Sequence, residues 1–169
     1  MVFEIIPPDE ITEYDIAEVL DIESQVYDDD AQQSLERCMQ FFSMNKCIYL
    51  FFRDVESSLI VGNVNFMPVT DECYNMIKSG DFIERDIVSE MILPDGDSVY
   101  FSGITIRDSY RNRSDLLRLM LLEFIKRTNG IRRMVADAVT QEGARLCQMF
   151  KMSKVCISRH GSEIYEKTF

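Results

Sequence analysis

Apolar positions recur along the chain with two periods, and the switches between them mark out its elements. Phe3 to Ile6 reads as a short strand ended by Pro7-Pro8. Over 11–27, Ile16, Val19, Leu20, Ile22, Val26 and Tyr27 return at helical spacing, with Thr12 and Asp15 as an N-cap pair at the start. The acidic run Asp28-Asp29-Asp30 interrupts this helix. Asp30 is placed to cap a second helix over 31–42, with Leu35, Met39 and Phe42 on one side. Residues 46–53 form a strand dense in apolar and aromatic side chains, and 59–69 returns as the second arm of a hairpin. Thr70 and Gly80 bracket a short helix, and the mixed extended stretch that follows closes in a turn over Pro94 to Gly96.

The second half alternates more regularly. Residues 98–106 predict a strand, 107–114 a loop, and 115–129 the strongest helix, with a wide apolar side built from Leu116, Leu119, Met120, Leu122 and Phe124. Asn129-Gly130 ends that helix. Residues 131–139 predict a strand, 140–152 a helix capped by Thr140, and the last two strands meet at a turn over His160-Gly161. The order β-α-α-β-β-(insert)-β-α-β-α-β-β describes an α/β (α+β) fold, a mixed sheet with helices on both faces. One domain over 1–169, with an insertion at about 70–97, fits a chain of 169 residues.

Charge changes this picture, because it is unevenly spread. Residues 1–97 carry 22 acids and 5 bases, and residues 98–169 carry 7 acids and 13 bases, for a formal charge of -11. The total argues against a nucleic-acid or anionic-membrane binder, while the basic second half is suited to a small polyanion. The N-terminus lacks the pattern of a signal peptide, so a cytoplasmic setting is the default. Five cysteines without a CxxC pair point to neither a disulfide framework nor a zinc knuckle. A single histidine, His160, removes Ser-His-Asp triads and His-cluster metal centres from consideration, so no metal site is expected.

The junction at 107–116 is the sharpest ligand-binding candidate. A strand end, three arginines and a helix start fall within ten residues, and a helix N-terminus binds phosphate oxygens through its unpaired amides. Arg111 and Arg113 can add charge-assisted bonds to a pyrophosphate. Neither GxGxxG nor GxxxxGK[ST] is present. The chain, and 98–153 best, resembles the GCN5-related N-acetyltransferase (GNAT) superfamily, whose members carry V-x-P-x-Y-R-x-x-G-x-G/A between a strand and a helix. Ile106 falls on the valine, Asp108 on the proline, Tyr110 and Arg111 on the tyrosine and arginine, Ser114 on the first glycine and Leu116 on the last. The family's N-x-x-A-x-x-x-Y-x-x-x-G-F helix aligns with Gln141, Ala144, Gln148, Met152 and Ser153, so the loop and the tyrosine are degenerate.

The resemblance implies an acetyl-CoA-dependent N-acetyltransferase acting on a primary amine of a small cationic molecule or basic peptide. The coenzyme would be held by Ile104, Ile106, Arg111, Asn112, Arg113, Ser114, Asp115 and Leu116. Glu90 is the candidate base and Tyr100 the candidate holder of a water, with surface and sheet-packing roles as their respective alternatives. Asp28 to Asp30 offer attraction for a cationic acceptor or a solvated helix end, and Cys147 reads as a packed thiol. The alternative function is a weak or silent module that binds coenzyme A or a protein partner, and exposed C-terminal strand edges are compatible with a homodimer.

Overall fold

A computed structural model describes residues 2–27 and 32–169. The elements are β1 (Phe3–Ile5), α1 (Glu13–Glu23), α2 (Leu35–Met44), β2 (Tyr49–Asp54), β3 (Ile60–Pro68), α3 (Asp71–Ser79), β4 (Ser98–Ile106), α4 (Ser114–Arg127), β5 (Arg133–Ala138), α5 (Gln141–Met149), β6 (Ser153–Ile157) and β7 (Glu163–Thr168). Their order is the one the periodicity predicts. The sheet is mixed and seven-stranded, in the order β1-β2-β3-β4-β5-β7-β6, with β4 and β5 parallel.

Local chemistry sets most boundaries. Thr12 and Asp15 make a reciprocal capping box on α1, Thr70 caps α3 by accepting from the Cys73 amide, and Thr140 caps α5 by accepting from the Gly143 amide. Gly80 ends α3 at φ 82°, a left-handed conformation that side chains disfavour. Three boundaries differ from the periodic reading. Helix α1 stops at Glu23, four residues before Tyr27. Ser34, whose hydroxyl accepts from the Arg37 amide, caps α2; the run Asp28 to Asp30 lies outside the described residues. The stretch 46–48 is a single 3₁₀ turn held by the Asn45 side chain, so β2 begins at Tyr49.

The chain clusters into two compact units, Met1–Asn65 with Ile104–Asn129, and Phe66–Gly103 with Gly130–Phe169. In the first, β1 and β2 pair antiparallel, as do β2 and β3. Leu50 to Phe52 and Ile60 to Val64 are buried without alternation, the pattern of strands covered on both faces. Helix α4 buries Leu116, Met120 and Phe124, spaced four apart, while Leu122 and Ile125 remain 49% and 57% exposed. The apolar side is therefore narrower than its composition suggests. Gly62 is what lets α4 and β4 come close. A Cβ there would lie 2.7 Å from the Thr105 carbonyl oxygen and 3.2 Å from Met120 Cε.

In the second unit, β5 pairs with β7 and β7 with β6, both antiparallel. Tyr74 of α3 is buried and donates to the Met134 carbonyl and to Glu166, which also pairs with Lys78. The segment after α3 contains two 3₁₀ turns, Glu84–Asp86 and Ser89–Met91, and is pinned by the Val69–Ile92 bridge and by Arg159 on Asp86. No helix among the described residues is long and apolar enough to cross a membrane.

Gly62→Ala should destabilise the protein by about 1–3 kcal/mol, the usual cost of forcing a methyl group against backbone. A urea titration with a lowered midpoint and unchanged slope is the expected result; an unchanged midpoint contradicts the close approach.

Candidate functional site

The 107–116 junction is anchored before it is charged. Arg107 donates from Nε to the Ile60 carbonyl and from Nη2 to Glu18, at 2.8 and 2.6 Å. Tyr110 donates its hydroxyl to Asp54 Oδ2 at 2.8 Å, and its ring meets Phe3 edge-on with centroids 6.1 Å apart. Asp54 is 1% exposed. Burial works against its charge, yet the Tyr110 hydroxyl, the Glu56 amide and Ser57 hold its carboxyl below the usual value. Tyr110 is thus a structural anchor that fixes the loop on the end of β2.

Leu116 is fully buried, with its side chain in the core beneath the first turn of α4. A leucine at that position therefore leaves the outer side of the turn open. Ile104 and Ile106 are half-buried at the end of β4, and Arg111, Asn112, Ser114 and Asp115 are exposed. Among the described residues the Asn112 and Ser114 amides donate to no protein acceptor. The backbone therefore suits an anion.

The side chains tell a different story from the sequence. Arg111 pairs with Asp108 at 3.2 Å, and Arg113 forks onto Asp115 at 3.0 and 2.6 Å while covering the Phe3 ring. Each arginine is already met by an acid of its own loop. The Asp115 carboxyl is held below its usual value first by the Arg113 guanidinium, and further by the Leu116 and Asp115 amides. A carboxylate thus sits where the resemblance predicts a pyrophosphate. The residues fit an anionic diphosphate once Asp115 turns aside, and the helix end already shows its preference for negative charge.

Tyr100 and Glu90, both in the second unit, are not brought together; the Tyr100 hydroxyl turns to Glu84 instead. Glu90 is exposed on a 3₁₀ turn. Tyr100 is 2% exposed and donates to Glu84 at 3.0 Å, and Ser102 donates to the same oxygen at 2.6 Å. Glu84 is the carboxylate facing β4. Sequence reading missed it because the segment around it shows no period.

A second polar group there gathers at the end of β5. Asp137 is opposite Ile164, and its Oδ1 is buried without a partner. Burial pushes the Asp137 carboxyl up, against a hydrogen bond from Ser162 and the nearby His160. Ser158 and Ser162 share a 2.5 Å hydrogen bond, and the His160 amide donates to Ser158. On α5, Gln148 reaches the Tyr165 hydroxyl at 3.4 Å, but that hydroxyl donates to Glu163, which raises its pKa and so weakens it as an acid. Cys147 is buried and its thiol is pushed up to about 12 by burial, which makes it an inert core residue. No group of three His, Cys, Asp or Glu among the described residues is placed to hold a metal ion.

Because the native Asp137 carboxyl keeps its proton to higher pH than in the unfolded chain, its contribution to stability falls as pH rises through that interval. Asp137→Asn should therefore raise Tm at pH 7 by roughly 2–4 °C, the shift that about 1 kcal/mol produces at this size. The gain should shrink as pH falls towards 4. An equal or lower Tm at pH 7 would contradict the assignment of a penalised buried charge.

No family model matches the chain, and no curated protein matches its sequence. Solved structures do. The loading GNATL domain of CurA from Lyngbya majuscula has a TM-score of 0.72 at 11% identity, over 99% of this chain and 98% of that one. GphF GNAT-like decarboxylase, in complex with isobutyryl-CoA, has a TM-score of 0.65 at 12% identity over 99% of both chains. The PaiA N-acetyltransferase from Thermoplasma acidophilum, in complex with coenzyme A, has a TM-score of 0.58 at 13% identity over 100% of both. With element order, sheet order and these full-length likenesses in agreement, the chain has the GCN5-related N-acetyltransferase fold.

Proposed function

We propose that this protein binds an acyl-coenzyme A at the β4–α4 junction and transfers the acyl group, acetyl in the simplest case, to a primary amine. One observation carries the reading: Leu116 is buried beneath the first turn of α4, which leaves the backbone of 112–116 able to receive a diphosphate despite the missing glycines. The bound thioester supplies an activated acyl carbon. The Asn112 and Ser114 amides, joined by those of Asp115 and Leu116 once the Asp115 carboxylate turns aside, would hold the diphosphate, with Arg111 and Arg113 as charged partners. Ile104 and Ile106 would line the strand end with backbone groups. Coenzyme A in the PaiA complex and isobutyryl-CoA in the GphF complex support a ligand of this class.

A second reading, an acyl-CoA-binding module without turnover, is favoured by the α5 end. Gln148 stands where the family keeps an acidic hydroxyl, and Tyr165 beside it is buried and committed to Glu163.

The test is calorimetric titration of acetyl-CoA into the wild type and into Asp115→Asn, followed by an amine panel. Removing the resident carboxylate should tighten binding by about three- to tenfold, the scale of one charge at a helix terminus. Turnover on any amine then selects catalysis over the silent module. Absence of binding by both proteins overturns the reading, and weaker binding by the variant contradicts the role given to Asp115.

A further inference from the structure

The outer face of α4 is more apolar than its surroundings require. Leu117, Leu122 and Ile125 are 37%, 49% and 57% exposed, and Leu121 between them is half-buried. No other helix among the described residues exposes more than one large apolar side chain: Tyr14 on α1, Met44 on α2 and Met149 on α5. Leu117, Leu121 and Ile125 lie four apart and form one ridge, with Arg118 and Leu122 on the ridge beside it. The stripe runs on for about two turns, the pattern of a helix face that receives a second helix.

Arg118 decides what kind of helix that is. It is exposed and stands within the stripe, three and four residues before Leu121 and Leu122. Around it, the other bases of this part of the chain are met by acids. Arg107 pairs with Glu18, Arg111 with Asp108 and Arg113 with Asp115, while Lys126 and Arg127 share Glu123. Arg118 has no acid partner among the described residues, in a chain with 29 acids against 18 bases. An apolar cover over the stripe would strip water from this guanidinium and leave its charge uncompensated, which is costly. A carboxylate on the covering surface removes that cost, and its two oxygens match the guanidinium fork.

A second copy of this chain does not bring such a carboxylate. An antiparallel pair of α4 helices centred on the stripe sets Arg118 within a turn of Lys126 of the other copy, and a parallel pair sets Arg118 against itself. A bilayer surface suits the face no better, because the exposed stripe holds no aromatic side chain and Asp115 stands at its start. We propose that the outer face of α4 docks an acidic amphipathic helix of a partner protein, with apolar side chains against Leu117, Leu121, Leu122 and Ile125 and a carboxylate on Arg118. Such docking requires no bound coenzyme.

The experiment follows the leucine and isoleucine methyl resonances of the 13C-labelled full chain. Two synthetic amphipathic helical peptides with the same leucine spacing are titrated separately at constant ionic strength, one with glutamates beside the leucines and one with lysines. Saturable shifts of the Leu117, Leu122 and Ile125 methyls with the glutamate peptide, at least about tenfold tighter than with the lysine peptide, are the expected result. Arg118→Glu should reverse that preference. No saturable shift with either peptide overturns the proposal, and so does an equal response to the two, a comparison that needs no variant to fold. Shifts of the same methyls on dilution without peptide would assign the face to a second copy instead. Shifts with phosphatidylglycerol vesicles and none with the glutamate peptide would assign it to a membrane surface, and either result overturns the proposal.

Discussion

The hydrogen bond from the Tyr110 hydroxyl to the buried Asp54 carboxylate is the constraint on which the candidate site depends. Asp54 closes β2 and is almost fully enclosed, so its charge is tolerable only with donors in place. Tyr110 supplies one and thereby fixes the middle of the 107–116 loop. Arg107, on the Ile60 carbonyl and Glu18, fixes its start. Leu116 fixes its end by filling the core below α4, a burial worth about 1.5–3 kcal/mol. Between these anchors the backbone of Asn112 to Ser114 has little freedom, which is what a backbone anion site requires.

Electrostatics within this loop run against the charge map of the chain. The second half of the sequence is basic, yet Arg111 and Arg113 are each paired with Asp108 and Asp115. Asp115 holds the helix end that a phosphate would take in the acyl-CoA complex proposed above. Binding a dianionic group there requires an exchange of one anion for another, and its strength is set by how readily the Asp115 carboxylate leaves Arg113. Arg113 then becomes available to the incoming ligand in the same movement.

Much of the fold was legible because its signals are local. Capping by Thr12, Thr70 and Thr140, termination at Gly80, and the helical spacing of Leu116, Met120 and Phe124 each rest on residues within a turn or two. The motif register from Ile106 to Leu116 was legible for the same reason. What the sequence hid depends on contacts far along the chain. Glu84 meets Tyr100 across sixteen residues and lies in a stretch without periodicity. Asp137 is one carboxylate among 29 acids until burial distinguishes it. The arginines looked available because pairing with Asp108 and Asp115 is a matter of side-chain geometry. Glu23 is one of many acids in the first half of the sequence, and only the fold brings Asn63 and Asn65 to it.

The central claim is that the first-turn amides of α4 are an anion site whose resident occupant is Asp115. An amide-resolved NMR titration of the full chain with coenzyme A tests it most directly. The account predicts that the backbone amides of Asn112 to Leu116 and the Asp115 carboxyl carbon shift together, saturably, while the Tyr110 hydroxyl stays bonded to Asp54. Saturable binding that leaves those amides unmoved and shifts residues elsewhere would contradict it.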